Sequence, residues 1–124
     1  MKRILIVDDD DAVRSAFGLA LESPSLAVHA TAAASEALMI LAEHGADLIF
    51  LDLSMPDCNG IDLLRLIRHT DRVTPVFIVT GFAAEHMPRL RKAAADGLDF
   101  NLLRKPLDMD EIQAAARAAL PGAP

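Results

Sequence analysis

Three apolar runs in this chain, and a fourth short run with two leucines at its centre, stop at residues able to do chemistry. ILIV, residues 4–7, runs into Asp8, Asp9, Asp10 and Asp11; LIFL, residues 48–51, into Asp52; VFIV, residues 76–79, into Thr80; and NLLR, residues 101–104, into Lys105. Carboxylates brought to one place repel. Two unit charges about 4 Å apart at an effective dielectric of about 20 cost roughly 4 kcal/mol, and three converging carboxylates contain three such pairs. A cation must relieve them, and the lysine alone neutralises only part. Oxygen ligation by carboxylates, a carbonyl and water suits Mg²⁺ or Mn²⁺, while the lack of histidine and cysteine at these run ends disfavours zinc. A carboxylate beside a divalent ion, a hydroxyl and an ammonium can attack a phosphoryl group and hold it as an acyl phosphate. Asp52 is the expected nucleophile, with the metal and Lys105 stabilising the equatorial oxygens and the Thr80 hydroxyl donating to one of them.

Plainer roles exist for each residue. Asp10 or Asp11 suits helix capping and dipole complementation, which needs one or two carboxylates and leaves the others of the run unexplained. Asp52, inside FLDL, would be costly to bury unless paired or metal-bound. Thr80 alone would pass as a strand residue and Lys105 alone as a surface charge. Their joint arrival at strand ends is the signal.

Bringing these groups to one edge calls for an open parallel sheet, in which ligands bind beyond the carboxyl ends of the strands. Apolar β-branched runs alternate with helical-period segments five times, the pattern of βα units around a sheet covered on both faces. Strands are expected at Arg3–Val7, Leu26–Ala30, Asp47–Leu53, Val76–Thr80 and Asn101–Arg104. The second carries His29 and belongs near an edge; the third, DLIFLDL, reads as central. Helices are expected over Asp11–Glu22 with Val13, Phe17, Ala20 and Leu21 inward, and over Ser35–His44 with Leu38, Leu41 and Ala42 inward and Gly45 as the stop. Three more follow at Ile61–Arg68, Ala84–Ala95 and Met109–Leu120, the last with Ile112, Ala115, Ala116 and Ala119 inward. Pro88 is expected in a first turn, with the regular part of the fourth helix starting near it. Pro121 and Pro124 close the chain.

The 124 residues fit one domain spanning 1–124, with no linker and no room for an effector domain. At 52% apolar and 24% charged residues the composition is that of an ordinary globular protein. A net charge of −6 argues against direct binding to nucleic acid or anionic membrane and favours cations and basic partners. Cys58, the only cysteine, excludes an internal disulfide and a multi-cysteine metal site, and reads as an ordinary loop residue. MKR followed by four apolar residues is too short for a secretory signal or a membrane span, so a cytoplasmic location is expected.

The stretches ILIVDDD, DLIFLDLSMPDCNGIDLL, PVFIVTG and LLRKPL, in this order and spacing, resemble the receiver domain of two-component response regulators, of the chemotaxis-type single-domain kind. The similarity spans essentially the whole chain. It implies a flavodoxin-like, doubly wound (βα)5 sandwich whose five-stranded parallel sheet has the order 2-1-3-4-5, an order taken from the resemblance and not from this sequence. It further implies that Asp9 is a direct metal ligand and Asp8 acts largely through water, that Asp52 is phosphoacceptor and metal ligand, and that Ser54 adds its backbone carbonyl. Thr80 would be the switch hydroxyl, Gly81 the small neighbour leaving room for the phosphoryl group, and Lys105, before Pro106, the phosphate-binding cation.

The implied partners are a histidine kinase or histidine phosphotransfer protein as donor, and a downstream protein that reads the face of helix four, strand five and helix five. Arg89, Arg91, Lys92 and Arg104 make that region basic, as an acidic partner or a plain solvated helix face would require. One position departs from the family. The switch aromatic usually stands three residues before the lysine, where this chain has Leu102; Phe100 lies two further back, and Gly97 to Lys105 is one residue longer than usual. Phe82, two after Thr80, is expected near the mouth of the site, where it would affect access of water.

Two rivals use similar parts. A haloacid-dehalogenase-like phosphotransferase would employ Asp8 as nucleophile and Asp10 as acid/base, but no Gly-Thr follows that pair, the C-terminal acidic motif is missing and Asp52 is unexplained. A flavodoxin would need hydroxyls and backbone N–H groups around the flavin phosphate where this chain has four carboxylates. A receiver acting as an unphosphorylated scaffold is a further alternative.

Overall fold

A computed structural model describes residues 1–56, 58–81 and 83–120; Phe82, Pro121 and Pro124, each given an expected role above, lie outside the described residues. Ten elements alternate along the chain: β1 (Lys2–Val7), α1 (Asp11–Ala20), β2 (Leu26–Thr31), α2 (Ala34–His44), β3 (Leu48–Asp52), α3 (Gly60–Thr70), β4 (Val76–Thr80), α4 (Ala83–Ala95), β5 (Asn101–Arg104) and α5 (Met109–Ala119). The strands form one sheet in the order β2-β1-β3-β4-β5, every neighbouring pair parallel. This is the flavodoxin-like order, and β2 lies at an edge with His29 exposed.

The continuous apolar runs are explained by burial on both faces. Successive strand side chains point to opposite sides, so each run divides itself between two cores. Leu5, Val7, Ile49, Leu51 and Ile78 join Ala37, Leu63, Leu64, Ile67, Leu90 and Ala93 from α2, α3 and α4. Ile4, Ile6, Leu48, Phe50, Phe77 and Val79 join Phe17, Ala20, Ile112, Ala115 and Ala116 from α1 and α5. Phe50 anchors the second core, with its ring centroid 4.8 Å from that of Phe17 and 5.4 Å from that of Phe77. Truncating a buried aromatic at such a place costs about 3–5 kcal/mol.

The helix ends follow local chemistry. Asp10 caps α1, its carboxylate accepting from the backbone N–H groups of Ala12 at 2.8 Å and Val13 at 3.3 Å. Asn59 caps α3 through the Asp62 N–H at 2.8 Å, and Asp108 forms a capping box with Glu111 on α5. Two expectations are corrected. Ala42 is exposed: Ala34, Ala37, Leu38 and Leu41 make the i, i+3, i+4, i+7 stripe of α2, and the short Ala42 side chain lies off it. Pro88 is not in the first turn of α4, which already begins at Ala83. Its ring removes only the donor to the Ala84 carbonyl, and the burial of Leu90 and Ala93 holds the helix across that gap. Among the described residues no helix is long and apolar enough to cross a membrane.

Candidate functional site

β1 and β3 are neighbours, with Val7 paired to Leu51, so Asp8 and Asp52 emerge side by side at the carboxyl edge of the sheet. Asp8, Asp9 and Asp52 each offer an oxygen within 4.8 Å of the others. Asp8 and Asp52 are buried, whereas Asp9 is exposed. The two central carboxylates are aimed by strands fixed on both faces, which is why repulsion does not separate them.

Backbone and side-chain donors hold Asp8. Its Oδ1 accepts from the Asp10 N–H at 2.9 Å, its Oδ2 stands 2.9 Å from Lys105 Nζ, and its carbonyl accepts from Arg14 at 2.7 Å. Arg14 is paired in turn with Asp11. The acidic run is thus divided: Asp8 and Asp9 face the site, Asp10 caps α1 and Asp11 engages Arg14.

Asp52 is less well served. Its Oδ1 meets Lys105 Nζ at 3.3 Å and the Ser54 N–H at 3.4 Å. Burial, and next the charge of Asp8, lift its pKa from 3.8 to about 6, against the pull of Lys105. Lys105 shows the complementary effect. Burial works against its ammonium, but the hydrogen bond to Asp8 and the attraction of Asp8 and Asp52 outweigh it, holding its pKa above the ordinary value. One ammonium among three carboxylates leaves a net negative centre made of oxygen donors, which fits a hard divalent cation and not a thiolate or imidazole metal.

The remaining expected residues gather on the same edge. Thr80 ends β4 one residue beyond the Asp52–Val79 pair and is buried, and the Lys105 N–H donates to its carbonyl at 2.8 Å. Ser54 is held in the loop between β3 and α3 by an antiparallel bridge to Asn59. Gly60 closes that loop so tightly that a Cβ there would lie 2.5 Å from the Asp52 carbonyl oxygen. Gly81 differs, since an added Cβ would make only ordinary contact at 3.8 Å with Lys105 Cβ. Phe100 and Leu102 are both half-buried against the core on the α3 and α4 side. A contact missed from sequence is Ser54 Oγ with His86 Nε2, 3.4 Å apart, tying the acidic loop to α4. The two residues are 32 positions apart and no local pattern links them.

With this geometry in place, comparison with known proteins decides the family. Residues 4–117 match the family described as the response regulator receiver domain. The chain belongs to that family. The receiver is 36% identical over 120 residues to the response regulator protein PmrA of Pseudomonas aeruginosa, covering 94% of this chain and 51% of the relative. It is 33% identical over 118 residues to the cell cycle transcriptional regulator CtrA of Caulobacter vibrioides, covering 95% and 50%. The receiver thus spans about half the length of these curated relatives. Among solved structures, the signal receiver domain of an HD domain-containing protein from Pseudomonas fluorescens Pf-5 superposes with a TM-score of 0.84 at 28% identity, covering 96% of this chain and 86% of that one. Vibrio cholerae chemotaxis protein CheY4 has the same fold, with a TM-score of 0.84 at 23% identity and coverage of 97% and 99%.

Proposed function

We propose that this receiver acts in the cytoplasm, takes a phosphoryl group on Asp52 from a phosphohistidine of a histidine kinase or histidine phosphotransfer protein, and thereby changes its affinity for a downstream protein. The observation that carries the proposal is the placing of Lys105 Nζ between Asp8 Oδ2, at 2.9 Å, and Asp52 Oδ1, at 3.3 Å, at the carboxyl edge of the sheet. An Asp52 oxygen attacks phosphorus as the phosphorus–nitrogen bond of the donor breaks, and the imidazole leaves with the bonding pair and takes up a proton. Lys105 stabilises charge on the equatorial oxygens, the Thr80 hydroxyl donates to one of them, and Gly81 leaves room for the group. Asp8, Asp9, Asp52 and the Ser54 carbonyl would hold Mg²⁺ or Mn²⁺, which supplies the charge compensation that one lysine cannot. By the same chemistry the receiver phosphorylates itself from small acyl phosphates and loses the group to water, without turning over a separate substrate.

Signalling requires two states. Moving a population from 1:99 to 99:1 takes about 5.5 kcal/mol, which Thr80 and Lys105 deliver by engaging phosphoryl oxygens in one state only. The readout surface is the face of α4, β5 and α5, where Arg89, Arg91, Lys92 and Arg104 are exposed. Leu102, half-buried where the family usually has an aromatic, fits a switch that does not turn on aromatic rotation. Phosphotransfer profiling against the purified kinases of the same genome tests the proposal. A cognate kinase is expected to label the wild-type chain and not Asp52→Asn; labelling of both contradicts it.

A further inference from the structure

At the opposite end of α3 from Asp52 lies a cleft of about 360 Å³ between the helix exit and the turn after α4. α3 has 11 residues and is about 16 Å long, so the cleft is separate from the carboxylate site. Arg65, Arg68, His69 and Arg72 line it from one side, at i, i+3, i+4 and i+7, and Asp96 and Asp99 from the other. Three guanidinium groups thus converge in a protein of net charge −6.

The local acids balance only part of the positive charge, Asp71, Asp96 and Asp99 standing against Arg65, Arg68, Arg72 and Lys92. Asp96 is shared between Arg65 at 3.0 Å and Lys92 at 3.6 Å. Arg68 is only 9% exposed, yet its guanidinium bonds to neutral carbonyls alone: Nη1 to Asp71 at 3.2 Å and Thr74 at 2.8 Å, Nη2 to Asp99 at 2.8 Å. Its buried Nε has no hydrogen-bond partner among the described residues. Neither His69 nor Arg72 has an ion-pair partner among the described residues, and both are exposed.

Tying the exit of α3 to the segments that lead into β4 and β5 accounts for the Arg68 Nη contacts. It does not account for His69 and Arg72, which line the cleft beside Arg65 and leave it cationic. The far wall is shaped by the close of α4, where Gly97, at a φ of 91°, donates its N–H to the Ala94 carbonyl and Leu98 donates its N–H to that of Ala93.

We propose that this cleft binds a phosphate group, held by Arg65 and Arg72 with His69, while buried Arg68 supplies attractive potential from behind. Planar guanidinium forks suit the tetrahedral oxyanion better than they suit chloride, and the cleft volume falls in the range of small-molecule sites. The site is independent of Asp52 and of its phosphorylation.

The test is a heteronuclear NMR titration of the full chain with inorganic phosphate and, separately, adenosine monophosphate, at an ionic strength held constant with sodium chloride. Saturable shifts of the amides of residues 65–72 and 96–99 are expected, equally in wild type and in Asp52→Asn. Affinity is expected to fall roughly fivefold or more in Arg72→Gln, whose side chain is exposed, and in Arg65→Gln, whose half-buried side chain also pairs with Asp96, with thermal unfolding of both variants checking that they remain folded. Tighter binding of the nucleotide would assign the site to phosphate esters and equal binding to the free anion. Shifts that never saturate, that chloride reproduces, or that keep the same affinity in both arginine variants would overturn the proposal.

Discussion

Lys105 and Asp52 are joined by a loose ion pair of 3.3 Å, because the same ammonium is held closer, at 2.9 Å, by Asp8. Among the described residues Lys105 is the only cation within ion-pair distance of the three site carboxylates. The centre therefore carries excess negative charge that a divalent ion can relieve. Lys105 competes with such an ion for the same oxygens. Lys105→Ala is expected to lower the melting temperature of the metal-free protein yet to bind Mg²⁺ roughly threefold or more tightly, by calorimetric titration. Weaker Mg²⁺ binding in the variant would show that the lysine assembles the carboxylates instead of competing for them.

Asp52 gives the metal-free protein a pH signature. Its pKa is 3.8 ordinarily and about 6 when folded, so between those values the folded state binds more protons than the unfolded one. Stability then falls as pH rises from about 4 to about 6, by up to about 3 kcal/mol, and the loss is complete above that window. In chelator-treated protein, Asp52→Asn is expected to be more stable than wild type at pH 7 by about 1–3 kcal/mol and no more stable at pH 4. Urea unfolding at the two pH values reads this directly. An equal gain at both would mean that the strain at Asp52 is not electrostatic.

Gly60 opposes helix propensity and sterics. Alanine in place of glycine inside a helix ordinarily gains about 1 kcal/mol. Here the new methyl would lie 2.5 Å from the Asp52 carbonyl oxygen and 2.9 Å from Leu53 Cα, both backbone atoms that cannot swing aside. Gly60→Ala is expected to cost about 2 kcal/mol in denaturant unfolding and to weaken Mg²⁺ binding by displacing Asp52. A stabilised variant would show that the β3–α3 loop yields.

Thr80 separates phosphoryl capture from response. With beryllofluoride as phosphoryl mimic, the wild type is expected to show amide shifts at the site and along α4. In Thr80→Ala the shifts at the site persist while those along α4 shrink, to about half when the lost hydrogen bond to the charged group is worth roughly 2.7 kcal/mol, the amount that takes a 99:1 population to 50:50. Undiminished α4 shifts would remove Thr80 from the switch.

Much of this molecule is legible in its sequence because its elements obey local rules. β4 and β5 begin and end where VFIVT and NLLR do, and Asp10 caps α1 as a carboxylate before a helical period should. The carboxylate cluster is legible because its members stand at or just past the ends of two buried strands, Asp52 closing β3 and Asp8 and Asp9 following β1, a place the apolar run itself marks. Relations set by tertiary reach are not legible. His86 meets Ser54 only because α4 folds back over the β3–α3 loop, and Arg68 finds three carbonyls spread over residues 71–99. Ala42 was expected inward because its apolar character was counted although it stands at the margin of the stripe that buries Ala34 and Ala37. The early start of α4 was hidden by Pro88, whose local penalty the buried Leu90 and Ala93 override.

The central claim is that the phosphoryl group is taken by Asp52 and not by a carboxylate of the run at residues 8–11. Treatment with a small acyl phosphate and Mg²⁺, borohydride trapping of the acyl phosphate and mass spectrometry of the peptides identify the residue. The expected result is a single modified position, Asp52, with no modification in Asp52→Asn. Modification at Asp8 would contradict the account and assign the chemistry to a strand-one nucleophile of the dehalogenase type.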